Sequence, residues 1–229
     1  HAHLDYFAIE TLIRIRPRVR TLVLPRSLGI CYGDVSLKRI AAKLGFGDVR
    51  EVDTGDVIPV PGGEIVVGPF WGEHGDIAHG SKATYLLRVA GKSVFIFADA
   101  QPLEPRVYQR LASEFGRVGT VFMNTEIAGA PLTWQFQSLF PSKRDRKGER
   151  SRRCRGSNKL ETLALLDALG ASAWVNYAMG LEPWCEWVLG PISTEATDPR
   201  MKESDSIIRE LTARGIHAKR LFGRDDLTL

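Results

Sequence analysis

His1-Ala2-His3-Leu4-Asp5-Tyr6 opens the chain, and the reading of these six residues decides what the others are for. Two imidazoles and a carboxylate at alternating positions, on a segment that then runs into an amphipathic pattern, suit a loop that sets all three side chains around one metal pocket. Imidazole nitrogen and carboxylate oxygen are ligands for zinc, manganese or iron, with bonds of roughly 2.0–2.2 Å in the zinc case. The competing reading is a tag remnant or an ordinary exposed end. It is the weaker one, because later segments supply the complementary ligands that a metal site needs.

The strongest of these lies at the end of a hairpin. Ala83 to Val89 and Ser93 to Phe97 read as two strands around Ala90-Gly91, the second nearly all apolar, as a central strand should be. It runs into Ala98-Asp99-Ala100. A carboxylate at the end of a buried strand must be paired, hydrogen-bonded or bound to a metal, because an isolated buried charge costs on the order of several kcal/mol. Asp99 is therefore the best single ligand candidate, set against the plainer role of capping a helix expected over Pro102 to Phe115. Upstream, Trp71-Gly72-Glu73-His74-Gly75-Asp76-Ile77-Ala78-His79-Gly80 packs acids and imidazoles among glycines, where the backbone can bend tightly around a site. If Glu73 and His74 are extended they point to opposite faces, so only one of them reaches the pocket directly.

The opening segment resembles the HxHxDH signature of the metallo-β-lactamase superfamily, with Tyr6 where the signature has its last His. In that superfamily the motif lies on a loop after the first sheet, and an Asp at the end of a later strand bridges two metals. The stretches MNTEIAGAPLTW (123–134), SRRCRGSNK (151–159) and NYAMGLEPW (176–184) resemble segments of its di-iron oxygenase branch, the type of the β-hydroxylase from chloramphenicol biosynthesis. The likeness extends from His1 to the Arg220-Leu221-Phe222-Gly223 ending. It implies an α/β fold, a metallo-β-lactamase-like αββα sandwich lacking its first strands. Residues 1–229 would then be one domain and a fragment of a longer protein. It further implies that His1, His3 and one of Glu73 or His74 hold a first iron, that Asp99 bridges, and that Asp5 anchors a second. Hydrolases of the superfamily usually offer His where the oxygenase branch has Glu, which favours Glu73.

Ligand type separates the two chemistries that remain. A hydrolase holds zinc with mostly imidazole ligands and lowers the pKa of bound water toward roughly 7. A di-iron oxygenase must reach the ferric state, which hard anionic oxygens favour more than neutral imidazoles do. This chain lacks two imidazoles of the hydrolase pattern, at Tyr6 and near Met179, while Asp5, Glu73, Asp99 and Glu126 offer carboxylates; Glu182 is a further, more often structural, acid. The balance favours two irons over zinc or manganese, with Asp5, Glu73 and Asp99 as the catalytic carboxylates. A zinc-dependent hydrolase is the alternative, and a degenerate, non-catalytic binding module the third reading.

Composition bounds the rest. The 229 residues, 44% hydrophobic and 25% charged, suit one large globular domain. No apolar run reaches the roughly 20 residues that span a bilayer. Cys31, Cys154 and Cys185 are odd in number and form no CxxC pair, which points to a reducing cytoplasm. The net charge of +4 is concentrated in Lys143, Arg144, Arg146, Lys147, Arg150, Arg152, Arg153 and Arg155. Such a run is most often a solvated loop. It also suits an anionic substrate or the acidic surface of a carrier protein, since relatives in the resembled branch act on carrier-tethered amino acids. The lack of interleaved aromatics argues against single-stranded nucleic acid.

Periodicity predicts strands alternating with helices, the mark of an α/β layered fold. Helices are expected from Phe7 to Ile15, through Leu37 to Leu44 with Gly45 as stop, from Ser157 or Asn158 to Gly170 with Leu160, Leu163, Leu166 and Leu169 as its stripe, and from Ser204 to Arg214. Strands are expected at Arg20 to Pro25, in pieces between Val49 and Phe70, at Thr120 to Met123, at Ala173 to Tyr177, and at the edge over His217 to Phe222.

Overall fold

A computed structural model describes residues 1, 7–27, 37–72, 82–125, 155–179 and 198–222. The strands are β1 (Leu22–Pro25), β2 (Val49–Val52), β3 (Val57–Val60), β4 (Gly63–Gly68), β5 (Thr84–Val89), β6 (Lys92–Ala98), β7 (Thr120–Met123), β8 (Ala173–Asn176) and β9 (His217–Arg220). The helices are α1 (Ile9–Ile15), α2 (Leu37–Lys43), α3 (Pro105–Phe115), α4 (Lys159–Leu169) and α5 (Pro199–Ala213). β1 and β2 pair in parallel as one sheet, and β3 to β9 form a second in sequence order. β3 to β6 run antiparallel, with tight turns between β3 and β4 and between β5 and β6, whereas β6 to β9 run parallel. β6, the nearly all-apolar strand, is the middle of the seven.

Alternation along the strands divides the core into layers. On β4 and β5, Val66 and Leu86 join Phe95, Phe97, Trp174 and the buried faces of α3, α4 and α5. Their neighbours Val67 and Tyr85 turn to the other face, against Val52 of β2 and Val23 of β1. Beyond the small sheet, α1 and α2 bury Leu12, Leu37 and Ala41 with Leu24 of β1. The sequence of layers is helices, sheet, sheet, helices, the αββα sandwich expected.

Local chemistry sets the helix limits. Asn158 and Glu161 form a reciprocal capping box at the start of α4, and Gly170 closes it in the left-handed conformation. α5 starts at Pro199 behind the cap Asp198, five residues before the expected Ser204. The Asp-Pro pair is a regular start signal that the apolar spacing outweighed. Two apolar stripes are narrower than expected: Leu160 is 77% exposed, and Ile9, Ile13 and Ile15 face outward on α1, where only Leu12 is buried. Among the described residues no helix is long and apolar enough to cross a membrane.

Two phenols mark how dry the layers are. Burial pushes Tyr85 up to about 12 and moves Tyr108 upward as well. An unfolded phenol ionises near pH ~10. Both groups are neutral in either state below that, so their contribution is fully present there and is lost as pH rises through 10 toward 12. Alkaline denaturation followed by tyrosinate absorbance should therefore be steep in this window, and Tyr85→Phe should flatten it. An unchanged profile in that variant would contradict the burial argument.

Candidate metal centre

Asp99 follows the last residue of the central strand, and the strand is bent just before it. Ile96 pairs with Phe122 and Ala98 with Met123, so β6 carries one extra residue there. Ala98 has φ 53°, a left-handed conformation that alanine rarely adopts. Strict alternation would send Asp99 to the side of Phe95 and Phe97, under the helices. The bulge and the left-handed residue break that alternation and re-aim the carboxylate.

The re-aimed carboxylate meets the first residue of the chain. His1 Nε2 lies 3.6 Å from Asp99 Oδ2, and each side chain is only 1% exposed. The imidazole is seated on Phe70, ring centroids 5.3 Å apart. A separation of 3.6 Å is long for a hydrogen bond. Two ligands bonded at roughly 2.0–2.2 Å to one ion, at ordinary coordination angles, stand about 3–3.5 Å apart. An imidazole nitrogen and a carboxylate oxygen, both buried and facing each other at this spacing, are spaced as two ligands of one metal ion would be.

Asp99 is fixed from its other side. Asn124, directly after β7, donates from Nδ2 to Asp99 Oδ1 at 2.8 Å, and its backbone N–H donates to Ala98 O. Asn176, ending β8, accepts from Thr125 N at 3.3 Å and donates to Thr125 Oγ1 at 2.7 Å and Ser204 Oγ at 3.0 Å. Because β6, β7 and β8 are parallel, Asp99, Asn124 and Asn176 all gather at one carboxyl edge of the sheet, where open α/β sheets place their ligands.

The residues after Asp99 are tied down as well. Ser157 Oγ donates to Ala100 O at 2.7 Å, and Gln101 Nε2 donates to Glu161 Oε1 at 3.1 Å. Gln101 N also donates to Trp71 O, and a Cβ on Gly72 would lie 2.5 Å from Gln101 Oε1. Only glycine allows that approach.

Of the seven ligand candidates, the structure brings His1 and Asp99 together. His3, Asp5, Glu73, His74 and Glu126 lie outside the described residues, as do Tyr6 and Glu182. Among the described residues no three His, Cys, Asp or Glu side chains form a cluster. The helix-capping role weighed for Asp99 belongs instead to Glu104, which accepts from Arg106 N. Of the basic run, Arg155 is described, and it pairs with Glu161 at 3.2 Å. Asn124 and Asn176 were readable as polar residues ending apolar strands, yet spacing alone does not reveal that their strands flank Asp99.

A 4-amino-L-phenylalanyl-[CmlP-peptidyl-carrier-protein] 3-hydroxylase from Streptomyces venezuelae is 37% identical over 229 residues, all of this chain and 43% of the relative. The crystal structure of CmlA, a diiron β-hydroxylase from Streptomyces venezuelae, superposes with a TM-score of 0.85 at 38% identity, covering 100% of this chain and 44% of that one. The chain is a homologue of this di-iron hydroxylase. It spans less than half the length of the curated relative that it matches. The metallo-β-lactamase fold protein YhfI from Bacillus subtilis superposes at a TM-score of 0.50 and 10% identity, over 96% of this chain and 72% of that one. That likeness speaks for the fold alone, and the fold is the metallo-β-lactamase sandwich. No protein-family model matches the chain.

Proposed function

We propose that residues 1–229 form one metallo-β-lactamase-type domain of a non-haem di-iron oxygenase that hydroxylates a substrate tethered to a carrier protein in the cytoplasm. The observation that carries this reading is the buried approach of His1 to Asp99 at the carboxyl edge of the central strand. It occurs in a chain that aligns along its whole length with a named hydroxylase. His1, His3, one of Glu73 or His74, and Asp99 would hold one iron. Asp5 and Asp99 would hold the other, and Glu126 is the further oxygen donor.

Iron bound there would supply the redox chemistry that activates dioxygen, with electrons from an external reductant. The protein supplies shape and exclusion. Phe70 packs against the imidazole, and β6 is irregular just before the carboxylate, between Ile96 and Ala98. Asn124 holds one carboxylate oxygen, so the other faces His1. With water kept out, every charge interaction inside the pocket is strengthened.

The carrier is supported by the relative's substrate and by the basic residues between Lys143 and Arg155, suited to an acidic surface. The test is purification of the full-length protein with iron and zinc both available, followed by assay on an aminoacyl group thioesterified to a carrier protein. Two irons per chain and a product heavier by one oxygen are expected, with binding to the carrier weakening as salt rises. Zinc alone with thioester or amide hydrolysis, or no stoichiometric metal, would overturn the proposal.

A further inference from the structure

Asn124 is a buried polar residue that the ligand set leaves unused. It sits one residue beyond β7, is 2% exposed, and its amide has two ends with different fates. Nδ2 donates to Asp99 Oδ1 at 2.8 Å. Oδ1 has no hydrogen-bond partner among the described residues. The orientation follows from chemistry, because an ionised carboxylate accepts hydrogen bonds and cannot donate, so the amino end of the amide must face Asp99.

A structural core amide satisfies both of its ends, since a buried unpaired acceptor is costly. Asn124 places its donor on the carboxylate and leaves its acceptor buried without a hydrogen-bond partner among the described residues. Its backbone is held at the same time: its N–H bonds to Ala98 O, and the next residue, Thr125, is fixed on both N–H and hydroxyl by Asn176. The side chain therefore has one place to reach.

We propose that Asn124 is a positioning residue for the metal centre, acting through Asp99. It rests on the di-iron reading above. By occupying Asp99 Oδ1 it stops the carboxylate from rotating and commits Oδ2, the oxygen 3.6 Å from His1, to the metal. Outer hydrogen bonds of this kind orient the ligands that touch a metal, and their loss typically weakens metal binding about 10–100-fold. The sequence carries a faint sign of the role: a short amide at the carboxyl end of the parallel strand adjoining the one that ends in Asp99.

The test uses the full-length protein with Asn124→Ala and the volume-preserving Asn124→Leu, each loaded with ferrous iron. Iron affinity is measured by chelator competition, and thermal melting is followed in the metal-free state. The expected result is a fall in iron affinity of roughly 10–100-fold in at least the leucine variant, with metal-free melting near that of the parent. Iron affinity within about threefold of the parent would overturn the inference, since that is well below the loss of an outer-shell contact. So would a metal-free melting point that falls in step with iron loss in both variants, the signature of a merely structural amide. If the parent itself takes up no iron, the di-iron reading fails first and takes this inference with it. If the parent is loaded and both variants match it, only the role of Asn124 falls.

Discussion

On the proposed di-iron function, Asp99→Asn should empty the centre of iron and abolish hydroxylation while leaving the fold standing. Asparagine has the shape of aspartate, and its carbonyl oxygen can still accept from Asn124 Nδ2, so the contact that fixes the side chain survives. The negative charge does not survive, and with it goes the oxygen that faces His1 across 3.6 Å. An amide is a poor ligand for ferric iron, and in the proposed role Asp99 would serve both ions at once. Iron affinity should therefore drop by more than the roughly 100-fold that bounds the loss of an outer contact. Circular dichroism and metal analysis on the same sample check this together. A folded variant that keeps both irons would show that Asp99 is not the ligand proposed.

That carboxylate stands out in the sequence as a candidate ligand. An acid closing a run of apolar strand residues is expensive to bury, and Ser93 to Phe97 could be recognised as a central strand from composition alone. The helix after it was legible too, although its cap was not. Glu104 lies directly before Pro105, and that adjacency, rather than the nearest acid to the strand, marks the start of α3. Position along the chain suggested that Asp99 could be the cap. The register shift in β6 took that role away by turning the side chain elsewhere, and a bulge of one residue leaves no trace in hydrophobic periodicity.

The partners of Asp99 were hidden for a different reason. Asn124 and Asn176 are far from it in sequence, and their importance comes from the order of strands in the sheet, which places β7 and β8 beside β6 and parallel to it. Apolar runs identify strands without identifying neighbours. Parallel pairing turns three separate strand ends into one polar edge. That step from a line of motifs to a site is made by topology and cannot be read from spacing. The opening histidine is the reverse case. Its chemistry was plain at once, while its contact with Asp99 required the sandwich to bring residue 1 over the carboxyl edge, against Phe70.

The same edge should be costly to disturb at Asn176, and Asn176→Ala is expected to destabilise the protein by about 3 kcal/mol. Asn176 is fully buried and joins three elements: it ends β8, grips Thr125 beyond β7 by N–H and hydroxyl, and reaches Ser204 on α5. Each net hydrogen bond contributes only about 1 kcal/mol, but removing one partner leaves the others buried and unsatisfied, at about 1–3 kcal/mol each. Thr125 N–H, the Thr125 hydroxyl and the Ser204 hydroxyl would all be stranded. Partial relaxation and water entry keep the total below the simple sum, so the lower half of the range is the reasonable expectation. Urea denaturation of the metal-free protein measures it, and a change under about 1 kcal/mol, the worth of one ordinary hydrogen bond, would contradict the network. The loss should not stop at stability. Thr125 follows Asn124, and once its backbone is released the amide that holds Asp99 loses its footing. Iron affinity in Asn176→Ala should thus fall together with stability, whereas in Asn124→Leu it falls alone. The contrast between the two variants separates the residue that aims the carboxylate from the residue that holds up the wall behind it.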